Sequence, residues 1–334
     1  MPEARARSKL QTVNRRFVLL QAVFSVIALG AVVWWASHQD APEFPSSAES
    51  LGWLGAAVLL YATATLVRAE RWHRILDITG IKASRTDCYG LTTVGYMGNN
   101  VLPARAGEML RVVLMDQRTG AGKRKLLGTI VAERVLDVIV LSTMLVIVAY
   151  GVLPGDVLPT DHPILITGIG VALLTVGAGV FAILRRRGQL TRLRDMIRPL
   201  ADASRALAGR DGAPLLAGSV VLWLCEGAVY LAVARAVDLD ISATGALYLV
   251  ALTNFAAALP AAPGSIGTFD AAVVFGANAL GGAGAVVTTY LLLLRFVLYV
   301  PITVVGLGVL IVRYGGWARM RATMRVQNTQ ASGA

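Results

Sequence analysis

The chain has 334 residues, 56% of them apolar and only 15% charged, with a mean hydropathy of +0.64 and a formal net charge of +11. An average soluble domain carries about 25% charged residues, so these values exclude an ordinary soluble enzyme, a disordered regulator and a disulfide-rich secreted domain. Cys88 and Cys225 lie far apart in apolar stretches, and His38, His73 and His162 share no ligand spacing, so neither a disulfide framework, a metal site nor a cofactor is expected.

A helix crossing a hydrocarbon core of about 30 Å needs about 20 apolar residues. Six such crossings are predicted, at 17–37, 51–67, 127–152, 163–184, 214–236 and 284–312. The first follows a basic N-terminus, 1–16, and has a signal peptide as its alternative reading. Its apolar part continues through Trp34 and Trp35, too long for the apolar core of a signal peptide, which favours an uncleaved anchor.

Lysines and arginines cluster in 1–16, 68–86, 104–126, 185–210 and the C-terminal tail. The connections 38–50, 153–162 and 237–242 have none and hold Asp40, Glu43, Glu49, Asp156, Asp161, Asp238 and Asp240. Basic loops stay cytoplasmic, so a multi-pass protein of the cytoplasmic membrane with both termini inside is expected, and the positive charge reports topology instead of nucleic-acid binding. Trp34, Trp35 and Trp53 suit the outer interface, Tyr314 and Trp317 the inner one. Segment 189–208 sorts Leu190, Leu193, Met196, Ile197, Leu200 and Leu207 from its charged residues. It reads as an amphipathic helix on the inner surface, bent at Pro199, or as a polar linker.

Two apolar stretches do not fit as crossings. Segment 87–116 has basic flanks on both sides, and 243–281 has acidic, base-free flanks. Each breaks in its middle, at 102–107 (LPARAG) and 259–264 (LPAAPG), where Pro removes an amide donor and Gly loosens the helix. Broken backbone at membrane depth is tolerated only inside protein or facing a wet cavity. The prediction is therefore two re-entrant helical hairpins, entering from opposite sides. Their breaks comprise Pro103 and Gly107 in the first, and Pro260, Pro263, Gly264 and Gly267 in the second.

Pro103 matches Pro260, Gly107 matches Gly264, and Arg134 matches Arg295, each within a span–hairpin–span order. The fold class that follows is an all-α integral membrane protein. It has six transmembrane helices plus two re-entrant hairpins in an inverted repeat. The halves are about 17–152 and 163–313, within a membrane domain 17–315, followed by a polar tail, 316–334. Inverted repeats in transporters place the binding site where the broken helices meet.

A few polar residues sit within these apolar runs: Asn99, Asn100, Arg105, Glu108 and Arg111 in the first hairpin, Glu133, Arg134 and Asp137 after it, then Asn254, Asp270 and Arg295. An Arg at the centre of a span costs about 3 kcal/mol on the insertion scale, so it persists when paired or when lining a polar route. Both readings stay open. Glu108 and Asp270 suit the first turn of a half-helix. Glu133, Arg134 and Asp137 suit an ion-pair knot, and Arg295 a structural pair with Asp270. Trp223 and Tyr230 suit core packing. On the functional reading, half-helix N-termini and arginines converge near the midplane on an anionic group such as a lipid phosphate.

The string GYMGNNVLPARAGEMLRVVLM, then ERVLDVIVL, then ALPAAPGSIGTFDAAVV, resembles the flippase-like membrane domain of lysylphosphatidylglycerol synthases over about 15–315. The element of Asn100, Pro103, Arg105, Gly107, Glu108 and Arg111 carries most of the resemblance, supported by Glu133, Arg134 and Asp137. Pro-Gly-Ser-Ile-Gly stands where the family suggests a Pro-Gly-Gly stretch, and Asp270 where it suggests Glu. The resemblance implies lipid translocation between leaflets. The short tail after 315 carries the expectation of a translocator alone, without lysyl-lipid synthesis.

The expected partners are membrane lipids with an anionic head group, with a homo-oligomer or a lipid-synthesising enzyme as further candidates. No GxxxxGK[ST] element is visible, so direct ATP drive is not expected. The rivals are a membrane enzyme acting on a lipid-linked phosphate (a glycosyltransferase type), a non-transporting assembly subunit and an ion or small-solute transporter.

Overall fold

A computed structural model of the chain describes residues 44–102, 106–151, 212–258 and 263–315, with a few isolated positions before 44. The predicted spans 17–37 and 163–184, segment 189–208 and the tail lie outside the described residues, as do Pro103, Arg105 and Pro260. Every regular element among the described residues is helical: α1 (Ala48–Ile78), α2 (Arg85–Val101), α3 (Ala106–Thr119), α4 (Lys123–Gly151), α5 (Gly212–Ala236), α6 (Ala243–Ala258), α7 (Thr268–Ala279) and α8 (Gly284–Tyr314), with a short 3₁₀ turn at Pro263–Ser265. By length and composition α1, α5 and α8 can cross a membrane.

Both predicted hairpins are helix–break–helix elements, α2–α3 and α6–α7, and the breaks fall on the two Pro/Gly segments. Their local causes differ. In the second break Gly264 and Gly267 adopt φ of 67° and 91°, in the left-handed region where glycine carries no Cβ penalty. Gly107 lies beyond the first break, in the opening turn of α3, and serves close approach. A Cβ there would stand 1.9 Å from the Gly95 carbonyl oxygen and 2.5 Å from the Asn99 amide nitrogen, so only glycine lets the two arms touch.

The two halves pack as counterparts, α1 with α5, α2–α3 with α6–α7 and α4 with α8. α1 packs on α5. The contact of α2 with α8 is mirrored by α6 with α4, α1 with α2 by α5 with α6, α3 with α4 by α7 with α8, and α1 with α8 by α5 with α4. Antiparallel order follows from the side chains: Arg68 of α1 meets Glu226 of α5, while Arg71, one turn on, meets Ser219, two turns back. α1 and α5, which hold corresponding places in this contact pattern, thus run antiparallel.

α1 runs eleven residues beyond the predicted span 51–67. Arg68 and Arg71, assigned from sequence to a cytoplasmic loop, are buried in the helix interior at 2% and 3% exposure. They fall in phase with Tyr61, Ala64, Trp72 and Ile75, on the face α1 presents to its neighbours. The outward surfaces are apolar: Leu59 and Leu66 on α1, Val138 and Ile147 on α4, Val220 and Leu224 on α5, and Phe296 and Val304 on α8 are all exposed. Charges inside and large apolar side chains outside is the arrangement a lipid solvent selects.

Candidate functional site

Among the described residues the ion pairs of the interior form three groups. The largest joins α1, α3 and α4. Arg71 Nη1 donates to Asp137 Oδ1 and to Ser219 Oγ, both at 2.7 Å. Its Nη2 stands 3.9 Å from Glu133. Arg111 donates to Glu133 at 3.0 Å and stacks over the Trp72 ring at 4.0 Å. Arg134 reaches Glu108 and Asp137, each at 3.1 Å. Glu133 and Asp137 share a face because they are one turn apart, and that face meets arginines from two other helices.

The second group is Arg68 with Glu226, both buried, with the guanidinium 4.9 Å from the Tyr96 ring and 5.6 Å from Trp223. The third is Arg295 with Asp270. Arg295 Nε donates to Asp270 and its Nη1 to the Gly264 carbonyl at 3.3 Å. Asp270 also accepts from the Gly267 amide at 2.8 Å. At the N-terminus of α7, expected from sequence to offer free amides to an anion, the Asp270 carboxylate thus takes up the Gly267 amide.

Between the first two groups lies a cavity of about 120 Å³, where α1, α2, α5, α6 and the second break converge. Asn99, Asn100, Arg134 and Asn254, which the sequence reading places in a cavity, line it, and so does Gly264 of the second break. Arg111, Glu133 and Asp137 do not reach it and form the knot behind Arg134. Asp270, Arg295, Pro263 and Gly267 do not line it, and Glu108 contributes only through Arg134. Arg68 and Glu226 line the cavity and were missed as site residues. Trp223 and Tyr230 were read as packing, and they also form its wall.

Among the described residues the interior charges pair off: Arg68, Arg71, Arg111, Arg134 and Arg295 face Glu226, Asp137, Glu133, Glu108 and Asp270. What the cavity wall has in excess is hydrogen-bond donors. Nε and Nη1 of Arg68 and Nε1 of Trp223 are buried without a partner, whereas Asn99 Oδ1 is the one such acceptor among the described lining residues. Buried donors without partners are costly, so this wall is complementary to an oxygen-rich group.

Buried charge, an apolar exterior and two helix–break–helix elements among the described residues define a helical membrane protein. The chain belongs to the family described as the lysylphosphatidylglycerol synthase TM region, which it matches over residues 18–306. It is similar to the protein named Glycosyltransferase AglD of Haloferax volcanii, 23% identical over an alignment of 261 residues that covers 66% of this chain and 42% of that protein. It is also similar to UPF0104 membrane protein PH1989 of Pyrococcus horikoshii, 25% identical over 128 residues, 37% of each chain. The chain thus spans about two fifths of the length of these curated relatives.

Proposed function

We propose that the protein moves a phosphate-bearing lipid between the leaflets of the cytoplasmic membrane, with the head group held in the central cavity. The observation that carries this reading is the donor excess on the cavity wall, supplied by Arg68 and Trp223 beside Arg134. A phosphodiester or a polyprenyl phosphate brings acceptor oxygens and negative charge, and charge-assisted hydrogen bonds to guanidinium are the strong ones. The cavity lies where the inverted halves meet, so rocking one half against the other exposes it to each side in turn. Both termini sit on the cytoplasmic side, the hairpins enter from opposite faces, and the protein acts as a transporter and not as an enzyme.

A second reading is a membrane enzyme acting on a lipid-linked phosphate, favoured by the similarity to a protein named as a glycosyltransferase. The carboxylates nearest the cavity argue against it, since Glu226, Glu108 and Asp270 are each held by an arginine and none is free to serve as a base. The test is reconstitution in vesicles with fluorescent phosphatidylglycerol, following leaflet exchange. The Arg68→Met/Glu226→Leu variant, which removes the charge together with its partner, and Arg134→Gln are expected to slow exchange at least tenfold while melting near wild type. Exchange at the wild-type rate in both would overturn the site. Sugar transfer from a lipid-phosphate donor by the purified protein would establish the second reading.

A further inference from the structure

A second concavity, of about 500 Å³, opens outward between α8, the end of α2 and the break of the second hairpin. Leu292, Phe296, Val300 and Val304 form one wall, spaced a turn apart on α8, and each is exposed on the outer surface. Asn100, Gly264 and Tyr299 line both this groove and the central cavity. The partition between an apolar compartment and a polar one is therefore about one side chain thick. A Cβ on Gly264 would stand 3.3 Å from the Tyr299 ring and 3.5 Å from the Asn100 carbonyl oxygen, so the absence of a side chain at 264 sets the width of the gap. At the junction stands Arg295. Its Nε and Nη1 are engaged, but its Nη2 is buried without a partner.

We infer that this groove holds the hydrocarbon chain of the lipid whose phosphate enters the central cavity, with Arg295 as the cation at the threshold and Tyr299 as the partition the head group passes. The inference rests on the translocation reading and adds to it the place of the lipid's hydrocarbon chain, which a water-soluble phosphate would leave empty. An outward apolar trough adjoining a guanidinium with a free N–H matches the two ends of such a molecule. A chain left in the trough stays in hydrocarbon while only the head group crosses polar protein, which avoids the cost of exposing methylenes to the cavity.

Two measurements on the full chain in phosphatidylcholine vesicles test it. The first uses phosphatidylglycerol bearing a photoreactive group on one acyl chain. Labelling is expected on α8 between residues 292 and 304, and unlabelled phosphatidylglycerol is expected to suppress it at least fivefold more effectively than diacylglycerol. Equal competition by diacylglycerol, or cross-links joining two copies of the chain through this wall, would overturn the inference. The second compares leaflet exchange by wild type and the Val300→Phe/Val304→Phe variant, which fills the groove from its outer face and leaves Arg68 and Arg134 in place. Exchange is expected to fall at least tenfold with an unchanged melting temperature. If wild type exchanges lipid and the filled variant keeps pace, the groove assignment fails alone. If wild type exchanges none, translocation itself fails, and the labelling competition still decides what the groove holds.

Discussion

Glu226 sits in the middle of an apolar run, and its energetic role follows from its one partner. Arg68 and Glu226 side chains are 3% and 8% exposed, and they face each other across the α1–α5 contact. Replacing Glu226 by Ala leaves a guanidinium in an apolar interior, a change that costs about 3–5 kcal/mol when a buried pair is broken. The Tyr96 and Trp223 rings are within cation–π reach of Arg68 before and after the change, so they do not alter the difference. A loss of about 3–5 kcal/mol is expected, read as a fall of several degrees or more in melting temperature. Replacing both partners, Arg68→Met with Glu226→Leu, removes the charge along with its need for a partner, and stability should return to within about 1 kcal/mol of wild type. Thermal unfolding in detergent, followed by circular dichroism, reads all three proteins. The double variant should melt well above Glu226→Ala and still fail to exchange lipid, because it lacks the Arg68 donors. If the single and double variants melt together, Arg68 is not an uncompensated buried charge, and the electrostatic reading of the cavity is wrong.

Three further outcomes follow from local geometry. Gly107→Ala places a methyl against backbone atoms of α2, which cannot rotate aside, and should destabilise by about 1–3 kcal/mol or more. Gly308→Ala, which meets nothing within 4 Å on the exposed side of α8, should gain up to about 1 kcal/mol from helix propensity, and a melting comparison of the two reads the contrast. Arg111→Lys keeps the charge but loses the planar stack on Trp72, at a cost of about 1–2 kcal/mol in the same assay. At the surface end of α2, burial alone would raise the Asp87 pKa, but hydrogen bonds from Ser84, Arg313 and Tyr314 outweigh it and hold the carboxyl below its ordinary value. A carboxylate depressed in the folded state stabilises above its unfolded pKa of about 3.9, and that contribution fades as pH falls through the lower folded value. The melting gap between wild type and Asp87→Asn should therefore be full at neutral pH and close below about pH 4.

The hairpins were legible because Pro and Gly interrupt apolar runs whose flanking charges agree on both sides, a signal that composition and spacing carry directly. The pairing of Arg295 with Asp270 was legible as one of two readings, since both lie deep in apolar sequence with few other partners. Arg68 and Arg71 were not, because a charge just past an apolar run reads equally as a loop residue and as a continuation of the helix. Their three-residue spacing, in phase with Tyr61, Ala64 and Trp72, was the signal that could have decided it. Glu226 was equally findable as the lone carboxylate of α5, on the stripe of Leu222, Trp223 and Tyr230. The choice between the knot and the cavity for Arg111, Glu133 and Asp137 depends on helix rotations of a few tens of degrees, and one chain's periodicity does not resolve those.

The two ends of the molecule are unequal in one respect. At the start of α2 and the end of α8, Asp87 accepts from Arg313 and Tyr314, and Arg118 closes over the Tyr314 ring. The corresponding termini, 243–246 of α6 and 148–151 of α4, hold no ionisable pair in their sequence. Any motion that parts the start of α2 from the end of α8 therefore has to break this clasp, in which one carboxylate holds a guanidinium and a phenol from the other helix.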